Sequence, residues 1–129
     1  MYAIRSSGPI RSILYANAIF SGVSGLLFVI ASQPIARFLR INMPWVILIL
    51  GIGLVGYAAL LYLTASRPEI SRSFVLFAVV ADSVWVLLST ILLLTNWVPF
   101  TVSGKWVVGI LAAIVDVFAM LQFFEWRKM

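Results

Sequence analysis

The sequence predicts an all-α membrane protein, an up-down-up-down bundle of four transmembrane helices with a short interfacial helix after the first span. Three observations carry that prediction. Hydrophobic residues fill 64% of the 129 positions and charged residues only 10%, whereas an ordinary soluble domain carries about 25% charged residues. Four apolar runs recur, each close to the roughly 20 residues that cross a hydrocarbon core. All five prolines, Pro9, Pro34, Pro44, Pro68 and Pro99, fall at the edges of these runs, as expected of a residue that breaks or kinks a helix interior. The runs use up most of the chain, so residues 1–129 read as one domain with no room for a separate soluble one.

The first span, about Ile13 to Ala31, follows Arg5 and Arg11 and ends in Val29-Ile30-Ala31. That outline resembles a signal peptide, but the run exceeds the roughly 7 to 15 residues of a typical signal core. Asn17, Ser21 and Ser24 recur at i, i+4 and i+7, a single polar stripe. Ala18 with Gly22 and Ser21 with Gly25 add the small-residue spacing that lets a neighbouring helix approach.

After it, Pro34 suits the first turn of a helix capped by Ser32 or Gln33. Ile35, Phe38 and Leu39 then share a face, with Arg37 and Arg40 beside them, which describes a short helix lying in the interface. The two arginines are candidate contacts for anionic lipid headgroups.

The second span, Pro44 to Ala65, contains Gly51-Ile52-Gly53-Leu54-Val55-Gly56, a literal G-x-G-x-x-G. A dinucleotide site needs a preceding strand, a helix N-terminus under the pyrophosphate and a downstream acid. None accompanies this run, so the expectation is close helix packing around Gly53 and Gly56.

Ser66-Arg67-Pro68-Glu69 has the spacing of a capping box and predicts that the next helix begins there. The third span, about Ser73 to Thr95, carries Asp82 in its middle, with Trp85 or Val86 and Ser89 on the same face. Trp97 and Trp106 flank the last connection as an interfacial belt. The fourth span, about Trp106 to Phe124, aligns Gly109, Ala112, Ala113, Asp116 and Ala119 on one face, small residues around a second buried acid.

Orientation follows from counting Lys and Arg. Arg5, Arg11, Arg67, Arg72, Arg127 and Lys128 fall on one side, and Arg37, Arg40 and Lys105 on the other. The excess predicts cytoplasmic N- and C-termini. The net charge of +5 is dealt out to the ends of spans and not gathered on one solvated face, so nucleic-acid binding is excluded. The lack of cysteine and histidine rules out disulfides, Cys/His zinc sites, bis-His haem and Ser-His or Cys-His dyads within the chain. No catalytic residue, cofactor or metal ligand is predicted.

An ionisable group inside a bilayer costs about 2.5 to 3.5 kcal/mol on insertion scales, so such groups turn inward and find partners. Asp82 lies nine residues after Ser73 and Asp116 nine before Glu125, which in antiparallel neighbours predicts one depth, about 13 Å from the cytoplasmic end. The expected site is buried and polar: Asp82, Asp116, Asn17, Ser21 and Ser89. Two carboxylates at one level in low dielectric cannot both ionise cheaply, which predicts a neutral or singly charged pair.

Asn17-Ala18-Ile19-Phe20-Ser21-Gly22-Val23-Ser24-Gly25, Asp82-Ser83-Val84-Trp85-Val86 with Ser89, and Gly104-Lys105-Trp106 leading to Phe118-Ala119-Met120-Leu121-Gln122 carry a resemblance. They resemble a widespread, functionally uncharacterised bacterial family of small four-span integral membrane proteins. The resemblance covers most of the chain and implies a fold and bacterial origin, not an activity; the expected location is the bacterial inner membrane. The chain is also similar to the DoxX-like proteins in size and topology, and no residue role is carried over from them.

The expected function is non-enzymatic: binding a lipid, an apolar small molecule or a partner membrane protein in a cleft bordered by Asp82, Asp116 and Asn17. The alternative is a proton- or cation-coupled channel or transporter acting as a homo-oligomer. A lipid-acting enzyme is disfavoured, because no nucleophile with an adjacent base can be assembled.

Overall fold

A computed structural model describes residues 2–95 and 98–129, and residues 2–8 by their backbone alone. The helices run α1 (Tyr2–Ile30), α2 (Ser32–Phe38), α3 (Pro44–Ala65), α4 (Arg72–Thr95) and α5 (Val102–Lys128). Four of them, all but α2, are long and apolar enough to cross a membrane, and the protein is an all-α, four-helix membrane bundle. Their outward faces carry exposed Ile19, Trp45, Leu63, Leu87 and Val117, a surface suited to acyl chains and not to water. Trp106 is also exposed, and Trp97, the other half of the expected aromatic belt, lies outside the described residues, as does the side chain of Arg5.

Helix α1 packs chiefly on α3, and α4 on α5, and the two pairs meet through α1 and α5. The α1–α3 contact is set by two glycines. A Cβ on Gly25 would lie 2.8 Å from the Gly51 carbonyl oxygen, and a Cβ on Gly51 would lie 2.8 Å from that of Gly25. Only hydrogen fits at both places, so the backbones touch. Gly53 and Gly56, where the sequence predicts close packing, meet no atom within 4 Å of an added Cβ. They lie on the far side of the α3 helix from α1.

The ends of the helices depart from the sequence expectation in several places. Helix α1 begins at Tyr2, so Pro9 sits inside it. Pro9 is the first residue of the apolar span, so the N–H it lacks would have bonded a carbonyl in the turn before the span, where a missing bond disturbs little. The cap of α2 is Ala31, with no side-chain hydrogen bond, in place of Ser32 or Gln33. The buried residues of this helix end are Ala36 and Leu39, while Phe38 is exposed.

Helix α2 closes with Arg40 N–H donating to the Arg37 carbonyl at 3.2 Å and Ile41 N–H to that of Ala36 at 2.8 Å. This is the Schellman arrangement, and it holds Arg40 at φ 58°, a left-handed position that glycine usually fills.

Ser66 does not open α4 but closes α3, donating from Oγ to the Tyr62 carbonyl at 2.8 Å. Ser71 supplies the start of α4, accepting from Phe74 N–H at 3.3 Å. Helix α5 begins at Val102, earlier than predicted, because Thr101 Oγ1 accepts from Gly104 N–H at 3.0 Å.

Between α3 and α4 the turn is fastened by Arg11. Its guanidinium donates to the carbonyls of Ala65, of Arg67 at 2.7 Å and of Pro68 at 3.2 Å. These are orphan acceptors at a helix C-terminus, where a cation also opposes the helix dipole. At the same end, Arg72 stacks its guanidinium 4.2 Å from the centre of the Trp126 ring and joins the start of α4 to the end of α5. The termini, the 66–71 turn and these contacts therefore share one end of the bundle, and α2 with residues 98–100 caps the other.

Candidate functional site

Five side chains from all four long helices converge midway along the bundle. Asn17 Nδ2 donates to Asp82 Oδ2 at 2.8 Å and to Gln122 Oε1 at 2.9 Å. Gln122 Nε2 donates to the same Asp82 oxygen at 2.9 Å. Tyr57 Oη donates to Asp82 Oδ1 at 3.0 Å, and Ser21 Oγ to Asn17 Oδ1 at 3.0 Å. The donors all point toward the carboxylate: Ser21 orients Asn17, and Asn17, Gln122 and Tyr57 address Asp82 directly. Asn17, Ser21, Asp82 and Gln122 are buried, so each bond replaces water that cannot reach them.

The sequence-predicted residues separate into two groups. Asn17, Ser21 and Asp82 are brought together. Ser89 is buried two turns further along α4 but has no hydrogen bond to the cluster.

Asp116 is a correction. It is exposed on the outside of α5, the two carboxylates form no pair, and the shared-proton expectation has no geometry behind it. The inward stripe of α5 is Ala112, Val115, Ala119 and Gln122. At 3.6 residues per turn Asp116 lies about 100° round from Val115, so the row of small residues read from sequence straddles the inward and outward faces. Gln122 occupies the place assigned to Asp116, six residues and about 9 Å further along.

Gln122 and Tyr57 are the residues that sequence reading missed. A signal for Gln122 existed: it continues the spacing of Val115 and Ala119 at i+7 and i+3, and it is the first polar side chain on that stripe, ahead of Glu125 at the helix end. For Tyr57 no comparable signal existed, because α3 is apolar on every side.

A cavity of about 380 Å³ lies against this cluster, within the roughly 300–1,000 Å³ of typical ligand sites. Its walls include Phe20, Phe28, Leu54, Trp85 and Leu111. Toward the termini the lining ends at Phe20 and Ser21 on α1, at Tyr57 on α3 and at Ala81 and Asp82 on α4, the level of the cluster, and on α5 it ends at Val115, about two turns short of Gln122. Beyond that level, toward the termini, Ile10, Leu14, Leu61, Ala65, Val75 and Ala78 pack into a dry core, each fully buried. The polar cluster is thus the floor of a blind apolar cavity.

Helices α3 and α4, which do not pack closely on one another, flank its mouth. Tyr57 bridges them at the floor through Asp82 and, at 3.4 Å, the Ala78 carbonyl.

Among the described residues no Lys or Arg lines the cavity, and the one ion pair is Lys128 with Glu125 at 3.2 Å. Among the described residues no group of three or more His, Cys, Asp or Glu side chains could hold a metal. Arg37 and Arg40, both exposed, line a separate groove at the capped end with Asn42 and Pro99. The G-x-G-x-x-G run is wholly helical inside α3 and offers no loop to cradle a phosphate.

No family model, curated protein or solved structure matches this chain.

Proposed function

We propose that this is a non-enzymatic protein of the bacterial inner membrane, with both termini cytoplasmic, that binds an apolar ligand between α3 and α4. The observation that carries the reading is the blind cavity of about 380 Å³ whose floor is a carboxylate held by four helices. Interhelical hydrogen bonds in membranes average only about 0.6 kcal/mol. A buried acid therefore adds little as a packing device, and its position against an apolar cavity supports a binding role. Arg37 and Arg40 serve as contacts for anionic headgroups at the capped end.

The proton- or cation-coupled transport reading has less support in a single copy, because fully buried Leu14, Leu61 and Val75 obstruct any route from the floor to the terminal end. It would need a second copy or a rearranged bundle.

Native mass spectrometry from gentle detergent tests the binding reading. The expected result is a retained apolar ligand on the wild-type protein and none on Gly53→Phe, a residue in the cavity lining with open space around it. Equal retention by the two proteins would remove the cavity from consideration.

A further inference from the structure

Resting on that cavity reading, we infer that its ligand is a cationic amphiphile: a hydrocarbon body carrying a primary or secondary ammonium group and no phosphate, with the ammonium seated on Asp82.

The argument begins with the acceptors of the carboxylate. An ionised Asp offers about four acceptor positions over its two oxygens. Oδ2 takes Asn17 and Gln122, and Oδ1 takes only Tyr57. One position is left on Oδ1, the oxygen bonded to Tyr57, and both of these residues line the cavity. Every side chain directed at Asp82 is a neutral donor, so the donor set neutralises no charge. A buried carboxylate is retained most cheaply when a cation meets it, and among the described residues no Lys or Arg lines the cavity to do so.

The walls support the same chemistry. Phe20, Phe28, Tyr57 and Trp85 border the space, and aromatic faces attract cations in desolvated sites. Apart from the hydroxyls of Ser21 and Ser24, the rest of the lining offers only hydrocarbon. A phospholipid ammonium fits less well, because its phosphate would enter the same cavity with no basic side chain to receive it. An alcohol or a neutral lipid would leave the charge of Asp82 unmet.

The test uses the full chain in phosphatidylcholine nanodiscs and three probes of equal chain length. These are dodecylamine, protonated at neutral pH, dodecanol, and a lysophosphatidylethanolamine with a twelve-carbon chain, the first two also brominated at the chain end. Saturable quenching of tryptophan fluorescence reads binding, and its loss in Trp85→Phe locates the signal in the cavity.

The expected result is that the ammonium probe binds wild-type protein about tenfold or more tighter than the alcohol. Asp82→Asn brings the two within about twofold, and the lysophospholipid does not displace the amine. Tyr57→Phe, which keeps the carboxylate and frees a second acceptor position, retains the preference for the amine. This variant with the wild-type ratio decides the matter should Asp82→Asn fail to fold by circular dichroism.

Equal binding of amine and alcohol by wild-type protein, with both lost in Gly53→Phe, would overturn the cationic ligand and leave the cavity reading standing. Displacement by the lysophospholipid on equal terms would overturn the exclusion of phosphate. Absence of saturable binding by any probe, or indifference to Gly53→Phe, would remove both readings.

Discussion

Asn17 on α1 reaches Asp82 on α4 with a hydrogen bond of 2.8 Å, although these two helices make little backbone contact. The side chains thus join helices that main-chain packing leaves apart. The same Asn17 amide nitrogen also bonds Gln122 on α5, so one side chain holds three helices in register.

Asn17→Ala is expected to be the most damaging neutral change in the cluster. It removes a donor from a buried carboxylate and from Gln122 together, and leaving such groups unsatisfied costs about 1–3 kcal/mol. Ser21→Ala, which removes only the donor within α1 that orients Asn17, should cost less, toward the lower end of the roughly 0.5–1.5 kcal/mol of a typical intramolecular hydrogen bond. Reversible unfolding in mixed micelles compares the two.

Asp116→Asn is expected to change stability by no more than about 0.5 kcal/mol, as for other changes away from buried contacts, and to leave ligand retention intact. Asp82→Asn should alter both. Thermal denaturation with native mass spectrometry separates these outcomes, and equal effects of the two changes would contradict the placement of Asp116 on the outer surface.

The glycines are expected to divide sharply. Gly25→Ala and Gly51→Ala each place a Cβ 2.8 Å from a backbone oxygen of the partner helix, which must force α1 and α3 apart and lower the melting temperature. Gly56→Ala meets nothing within 4 Å and should be neutral or stabilising by about 0.5–1 kcal/mol through helix propensity. A melting series over the three variants checks the ranking.

Arg11→Gln should loosen the turn between α3 and α4 by about 1–2 kcal/mol, since hydrogen bonds from a charged group are the stronger kind. Arg11→Lys is expected to recover only part, because one compact ammonium nitrogen replaces the two guanidinium nitrogens that reach the three carbonyls. Limited proteolysis after Glu69 by a glutamate-specific protease reports the loosening directly.

Arg40→Gly should raise stability by about 1 kcal/mol, the cost of holding a side chain in the left-handed region. The melting temperature in detergent is the measurement, and a fall would show that the Arg40 side chain has a role outweighing that strain.

Much of the fold was legible in the sequence because a bilayer leaves few solutions. Backbone groups in lipid must be satisfied within their own helix, so long apolar runs punctuated by proline already specify helices and their number. Pro44 to Ala65 was located to the residue for that reason. Helix ends were less legible, since Ser66 and Ser71 offer equal capping chemistry and the Arg11 contacts decide between them. Asn17, Ser21 and Asp82 stood out as polar residues inside apolar runs, whereas Tyr57 did not, because tyrosine belongs as readily at the lipid interface as in a core.

The amino-acid sequence by itself determined the class of solvent, the four spans and which polar groups would need partners, because hydropathy and the cost of an unpaired charge are local properties of a run. Tertiary structure alone decided which groups became partners. Rotation of α5 about its axis turns Gln122 toward Asp82 and Asp116 away, and the glycine contact that draws α1 onto α3 is matched by no such contact between α3 and α4. Helix rotation and interaxial distance are set by side chains on neighbouring helices, so neither the cavity nor its acidic floor is written in any single run of residues.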